Sequence, residues 1–262
     1  MCEKYKIENN GIKLFCKSSG HGPLILFIHG ACVDGSYFDD CQRYLGETVK
    51  KIQYDRRGYG RSTIPISEDF SVEAQLTDIC RILHEYDDPA YIVAHSFGAV
   101  IAAHAICRFP ELFRGGLLYE PFWAGSIPAE HLAWDYINSM KKHIDSNQYA
   151  SALLYFCKLI GQSDLPCTDA TKPAIVEKNF MTFLAHEFKE TYSVAFPNFA
   201  TCTLPVYIGL GTDNIKNHFG VSAEKFRELL GAEIVYFPGG HNAPYSNAQE
   251  FAKAILPLLN TL

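Results

Sequence analysis

Long apolar runs, basic clusters and paired cysteines are what this 262-residue chain lacks. No stretch approaches the roughly 20 apolar residues that cross a bilayer, so a membrane span is not expected. Lys and Arg number 23 against 29 Asp and Glu, a net charge of -6. With no basic run besides, neither a nucleic-acid surface nor an anionic-membrane surface is expected. Cysteine is plentiful, but the nine are an odd number and none forms a Cys-x-x-Cys pair. Scattered as Cys2, Cys16, Cys32, Cys41, Cys80, Cys107, Cys157, Cys167 and Cys202, they read as reduced thiols. No clustered ligand set is evident, so no metal and no cofactor are expected. The first residues, Met1-Cys2-Glu3-Lys4-Tyr5-Lys6, carry no apolar signal core, which makes a cytoplasmic protein the expectation. Internal repeats and low-complexity segments are absent.

What is present is a hydrophobic content of 48% in 29.4 kDa, ample for one large domain or a domain with an insertion. The pattern predicts a hairpin of strands over 5–8 and 12–16, turned at Asn9-Asn10-Gly11. Strands follow over 24–28, 51–54, the run into Ser96, 115–119, 204–210 and 233–237. Helices are expected over 37–45, 74–83, from Ala99 to Phe109 before Pro110, over 223–230, and over 248–259, where Pro257 shortens or kinks the last one. Between Phe122 and about Ala200 strand signals vanish, and helical runs cover 131–144, 149–160 and 174–188. Alternating strands and helices mean an α/β fold with a mostly parallel sheet wrapped on both faces. The expected division is core over 1–121, a helical lid over 122–200, and core again over 201–262.

The organising stretch is Tyr91-Ile92-Val93-Ala94-His95-Ser96-Phe97-Gly98-Ala99. It reads as strand, sharp turn and helix, with a hydroxyl at the apex. Small residues two places either side give Ala-x-Ser-x-Gly, where a nucleophile elbow more often reads Gly-x-Ser-x-Gly. The plainer alternative is a helix N-cap, which serine commonly provides.

Four runs, taken together and in order, resemble the α/β-hydrolase fold family over nearly the whole chain. They are His29-Gly30, Asp55-x-Arg57-Gly58-x-Gly60-x-Ser62, Ala94-x-Ser96-x-Gly98 and Gly240-His241. The departure is Ala94 in place of the more frequent Gly. The resemblance implies a lid-bearing serine hydrolase, with local likeness to lactone hydrolases around Glu120 and 238–245. Ser96 is then the nucleophile and His241, in the loop after the last strand, its base. The N–H groups of Ala31 and Phe97 become the oxyanion donors, with Cys32 N–H a nearby substitute. His29 and His95 are expected to be structural, and Asp55-Arg56-Arg57-Gly58 a tight loop pinned by Asp–Arg pairing.

The acid is open between two carboxylates. Asp213 occupies the place most members of the family use, whereas Glu120 ends the strand after the elbow helix. Glu120 follows an apolar run and precedes Pro121, so it needs a buried partner, and it is preferred here over Asp213. Phe122 and Trp123, directly after it, are the expected substrate-pocket walls. An apolar, aromatic cavity suits a small or medium ester or lactone. Carbon–carbon bond hydrolysis by the same triad, or a ligand receptor on this fold with little turnover, are the alternatives.

Overall fold

The computed structural model describes residues 2–161, 171–195, 199 and 202–261. Cys167 and Ala200 lie outside them. The chain opens with a hairpin, β1 (Glu3–Asn9) and β2 (Ile12–Ser19), turned at Asn10 and Gly11, both with positive φ. Then come β3 (Leu24–Ile28), α1 (Asp39–Tyr44), β4 (Lys50–Tyr54), α2 (Val72–Leu83), β5 (Ala90–His95), α3 (Phe97–Arg108) and β6 (Phe113–Tyr119). Four helices follow with no strand between them among the described residues: α4 (Ala133–Asp145), α5 (Tyr149–Leu159), α6 (Pro173–Met181) and the short α7 (Glu190–Ser193). The chain closes through β7 (Val206–Gly211), α8 (His218–Leu230), β8 (Glu233–Phe237), α9 (Ala243–Ser246) and α10 (Ala248–Thr261).

The strands form an 8-stranded sheet in the order β1-β2-β4-β3-β5-β6-β7-β8. The β1–β2 and β2–β4 pairs are antiparallel; all others are parallel. Each central strand feeds both faces because side chains alternate. In β3, Leu24, Leu26 and Ile28 join a core with α2, α3 and α8, whereas Ile25 and Phe27 join a second core with α1 and α10. Every residue of β3 is buried, which explains its continuous apolar run.

Some boundaries differ from the sequence pattern for local reasons. The first expected helix splits into a 3-10 turn, Gly35–Phe38, capped by the Asp34 side chain, and α1. Helix α8 starts five residues earlier than its apolar spacing suggests, because the Asn217 side chain accepts from Phe219 N–H and caps it. The run over 174–188 breaks at Met181 into a π-turn, Thr182–Glu187. Helix α10 continues through Pro257, which gives up one donor but does not end it.

The loop after β4 is pinned from several sides. Arg61 grips Asp55 through Nε and Nη2, both at 2.7 Å, and Gly35 N–H donates to the same carboxylate at 3.0 Å. Arg57 grips Asp78 on α2 in a buried fork at 2.8 and 2.9 Å. Removing one partner of a buried pair leaves the other charge uncompensated. Asp78→Ala is therefore expected to lower unfolding stability by about 3–5 kcal/mol in urea titration, far more than an exposed change such as Glu73→Ala.

Candidate active site

Ser96 stands at the turn between β5 and α3 with φ 55 and ψ -126, a left-handed backbone that only over-determined surroundings sustain. Its N–H donates to Tyr119 O at 2.9 Å, and the carbonyl takes the first bonds of α3. The turn is tight enough that a Cβ at Gly98 would lie 2.3 Å from His29 O. Although Ser96 occupies the N-cap place, its side chain makes no capping bond. The hydroxyl instead lies 3.1 Å from His241 Nε2.

His241 arrives on the loop after β8. His95 Nε2 donates to its carbonyl at 2.9 Å, Tyr119 OH donates to Gly240 O at 2.8 Å, and the Phe219 ring stacks on the imidazole at 4.0 Å. The ring's other nitrogen, Nδ1, meets Glu120 Oε2 at 2.7 Å. A carboxylate can only accept, so Nδ1 carries the proton and Nε2 presents its lone pair to the Ser96 hydroxyl. Glu120 directly follows β6 with φ 42 and is fully buried. Its Oε1 receives Gly211 N–H at 2.9 Å, and the Asn214 amide donates to both oxygens at 3.0 and 2.9 Å.

Of the two candidate acids, the structure brings Glu120 to the imidazole. Asp213 is exposed, next to Gly240 rather than to the ring. Asn214, one place further on, is the residue that sequence reasoning passed over: it looked like turn chemistry, yet it turns inward from β7 to hold the acid on β6. His29 and His95 are both buried in structural bonds, the first accepting Arg56 N–H at 2.9 Å.

Burial pushes the Glu120 carboxyl up to about 7, against the lowering effect of Asn214 and the Gly211 N–H. Burial also lowers the His241 imidazole to about 3. Both directions express the difficulty of placing charge in a dry cage. The direction that governs the chemistry is the second: a neutral imidazole at ordinary pH is the form able to take a proton.

A cavity of about 330 Å³ of atom-free space lies over Ser96, bounded below by Ala31, Phe97 and Phe122 and above by Phe156, Phe183 and Phe188. The N–H groups of Ala31 and Phe97 have no protein acceptor among the described residues. Trp123 is the correction to the expected pocket walls: it turns away from the cavity and its indole donates to Val194 O at 3.1 Å, with His104 and Phe226 lining the same crevice. One residue's difference along the extended chain sends Phe122 and Trp123 to opposite sides. Among the described residues no group of three His, Cys, Asp or Glu side chains could hold a metal ion, and no helix is long and apolar enough to cross a membrane.

Residues 25–254 match the Alpha/beta hydrolase family, and the chain belongs to it. It is an enzyme with the hydrolase activity of that family. The chain is 26% identical to the "Uncharacterized hydrolase YraK" of Bacillus subtilis (strain 168), across 95% of this chain and 93% of that protein. Its fold is similar to a putative lipase of Acinetobacter baumannii AYE, with TM-score 0.78, 18% identity, and 99% and 91% of the two chains covered. It is also similar to Est816, described as an N-acyl homoserine lactone degrading enzyme, with TM-score 0.73, 19% identity, and 97% and 99% covered.

The raised Glu120 gives a pH dependence with a definite sign. Acidification through about 7 protonates the carboxyl, which then donates to Nδ1 and forces the proton of the neutral ring onto Nε2. kcat/KM is expected to fall as pH drops through that range. Asp213→Asn removes a negative charge that raises Glu120, so a pH–rate profile of this variant should show the acid limb moved to lower pH.

Proposed function

We propose that the chain is a serine hydrolase acting on small or medium apolar esters or lactones through an acyl-enzyme. The observation that carries this reading is the Ser96 hydroxyl 3.1 Å from a neutral, carboxylate-oriented imidazole at the floor of an aromatic cavity. Ser96 Oγ adds to the carbonyl carbon while its proton passes to His241 Nε2. The tetrahedral oxyanion takes the N–H groups of Ala31 and Phe97, the imidazolium returns its proton to the leaving oxygen, and the C–O bond breaks. Water then repeats the sequence on the acyl-enzyme, with Glu120 stabilising the charged ring throughout. An ester or lactone suits the walls, since Phe122, Phe156, Phe183 and Phe188 provide no charged partner for a polar substrate. Est816, described as an N-acyl homoserine lactone degrading enzyme, has the same fold.

The helical segment over 122–200 acts as the lid in this reading. Its Phe156, Phe183 and Phe188 roof the cavity over Ser96, and these are the rings a substrate displaces on entry.

Three variants test the assignment. A serine-directed fluorophosphonate should label the protein stoichiometrically, and Ser96→Ala should abolish the label. Glu120→Gln is expected to lower kcat on short p-nitrophenyl esters by about 10³–10⁴-fold, because the ring loses the acceptor that fixes its tautomer. Asp213→Asn should leave kcat at its plateau pH within a few-fold of wild type, on the order of an exposed charge effect. A larger loss in Asp213→Asn than in Glu120→Gln would remove Glu120 from its role. Stoichiometric labelling without turnover across an ester, lactone and diketone panel would point to the receptor reading instead.

A further inference from the structure

Arg56 is a fully buried guanidinium on the loop after β4. Its Nε donates to His29 O and its Nη2 to Gly30 O, both at 2.9 Å. Its Nη1 reaches Gln75 Oε1 at 2.6 Å and also grips the Glu187 carboxylate, whose other oxygen takes Nη2 at 3.0 Å. Glu187 ends the π-turn between α6 and α7 and is fully buried too. Tyr59 OH and Gln75 Nε2 complete its shell at 2.5 and 3.1 Å.

Gly30 O receives a second donor. The backbone N–H of Arg56 can only donate, so His29 Nε2 is its acceptor and His29 Nδ1 carries the proton given to Gly30 O at 2.8 Å. A peptide unit is planar and trans, so its C=O and N–H point in opposite directions. Two donors on Gly30 O therefore fix the direction of the Ala31 N–H, and Ala31 lines the Ser96 cavity. The same peptide passes so near the nucleophile that a Cβ at Gly30 would lie 2.9 Å from Ser96 Cβ. A cation on the carbonyl end also polarises the peptide and makes its N–H a stronger donor.

We propose that Arg56 is a positioning residue for the oxyanion-binding Ala31 N–H, and that Glu187 makes this positioning depend on the 182–187 turn being seated. The inference rests on the acyl-transfer reading above. With the turn in place, the guanidinium is held between the Glu187 carboxylate and the Gly30 carbonyl. With it displaced, Arg56 loses its counter-ion and the aim of the peptide loosens. The oxyanion hole is then complete only while the turn is seated.

A buried ion pair can often be exchanged for apolar residues of similar volume without loss of stability, which separates positioning from scaffolding. In Arg56→Met/Glu187→Met both charges leave together, and thermal melting near wild type is expected. kcat on p-nitrophenyl esters should still fall by about 10–100-fold, with KM within about twofold. Affinity for a trifluoromethyl ketone, which forms a tetrahedral adduct on Ser96, should fall in parallel with kcat/KM, and the acid limb of the pH profile should not move. Wild-type kcat in the folded double variant would overturn the proposal. If the double variant does not fold, Glu187→Gln decides: a fall in kcat at unchanged KM supports the positioning role, and unchanged kcat in a folded protein overturns it. Wild-type protein that takes no fluorophosphonate and turns over no ester defeats the acyl-transfer reading and this proposal together. Wild-type turnover with an unimpaired variant defeats this proposal alone.

Discussion

Glu120 is a carboxylate with no solvent access, and the surrounding architecture answers that burial with four hydrogen bonds. Gly211 N–H and the Asn214 amide come from the end of β7, and His241 from the loop after β8. Three consecutive parallel strands thus meet at one carboxyl group, and their order in the sheet is what places them there. An isolated buried charge would be expelled or neutralised. Held in this way it anchors the imidazole, and the imidazole anchors the approach to Ser96.

The two residues at the strand ends of this site, Ser96 and Glu120, both have left-handed backbones. Such conformations are unfavourable for side chains larger than glycine and need support from neighbours. Ser96 is held by the Tyr119 carbonyl and by the close passage of His29 and Gly30, and Glu120 N–H is fixed to Gly209 O at 2.8 Å. The hydrogen-bonded Ser96 and Glu120 side chains therefore sit where local propensity is violated and tertiary contacts overrule it.

Much of the fold was legible because its signals are local. Continuous apolar runs gave the buried parallel strands, and Asn9-Asn10-Gly11 gave the hairpin. The order of Ser96, an acid and His241 was legible too, since each follows a strand. What escaped the sequence was orientation at single-residue resolution. Phe122 and Trp123 are adjacent and equally aromatic, yet only the first faces the cavity. Asn214 reads as a turn residue, and nothing local says that its amide points inward to Glu120. The Glu187 partner of Arg56 lies 131 positions away in sequence, inside a run whose periodicity suggests one unbroken helix rather than a π-turn. Charge placement of that kind depends on long-range packing, which no window of residues encodes.

The helical segment between β6 and β7 is joined to the rest by more than its apolar face. Asn179 and Lys178 on α6 bond to Gly60 N–H and to the Gly60 and Ser62 carbonyls, and Glu187 enters the interior to meet Arg56. Grafting the corresponding segment of a relative onto this sheet would consequently be a problem of electroneutrality before it is one of shape. A donor segment with an uncharged residue at that place would strand a guanidinium in a dry interior. Chimeras intended to reshape the cavity would need that acid carried over along with the new walls.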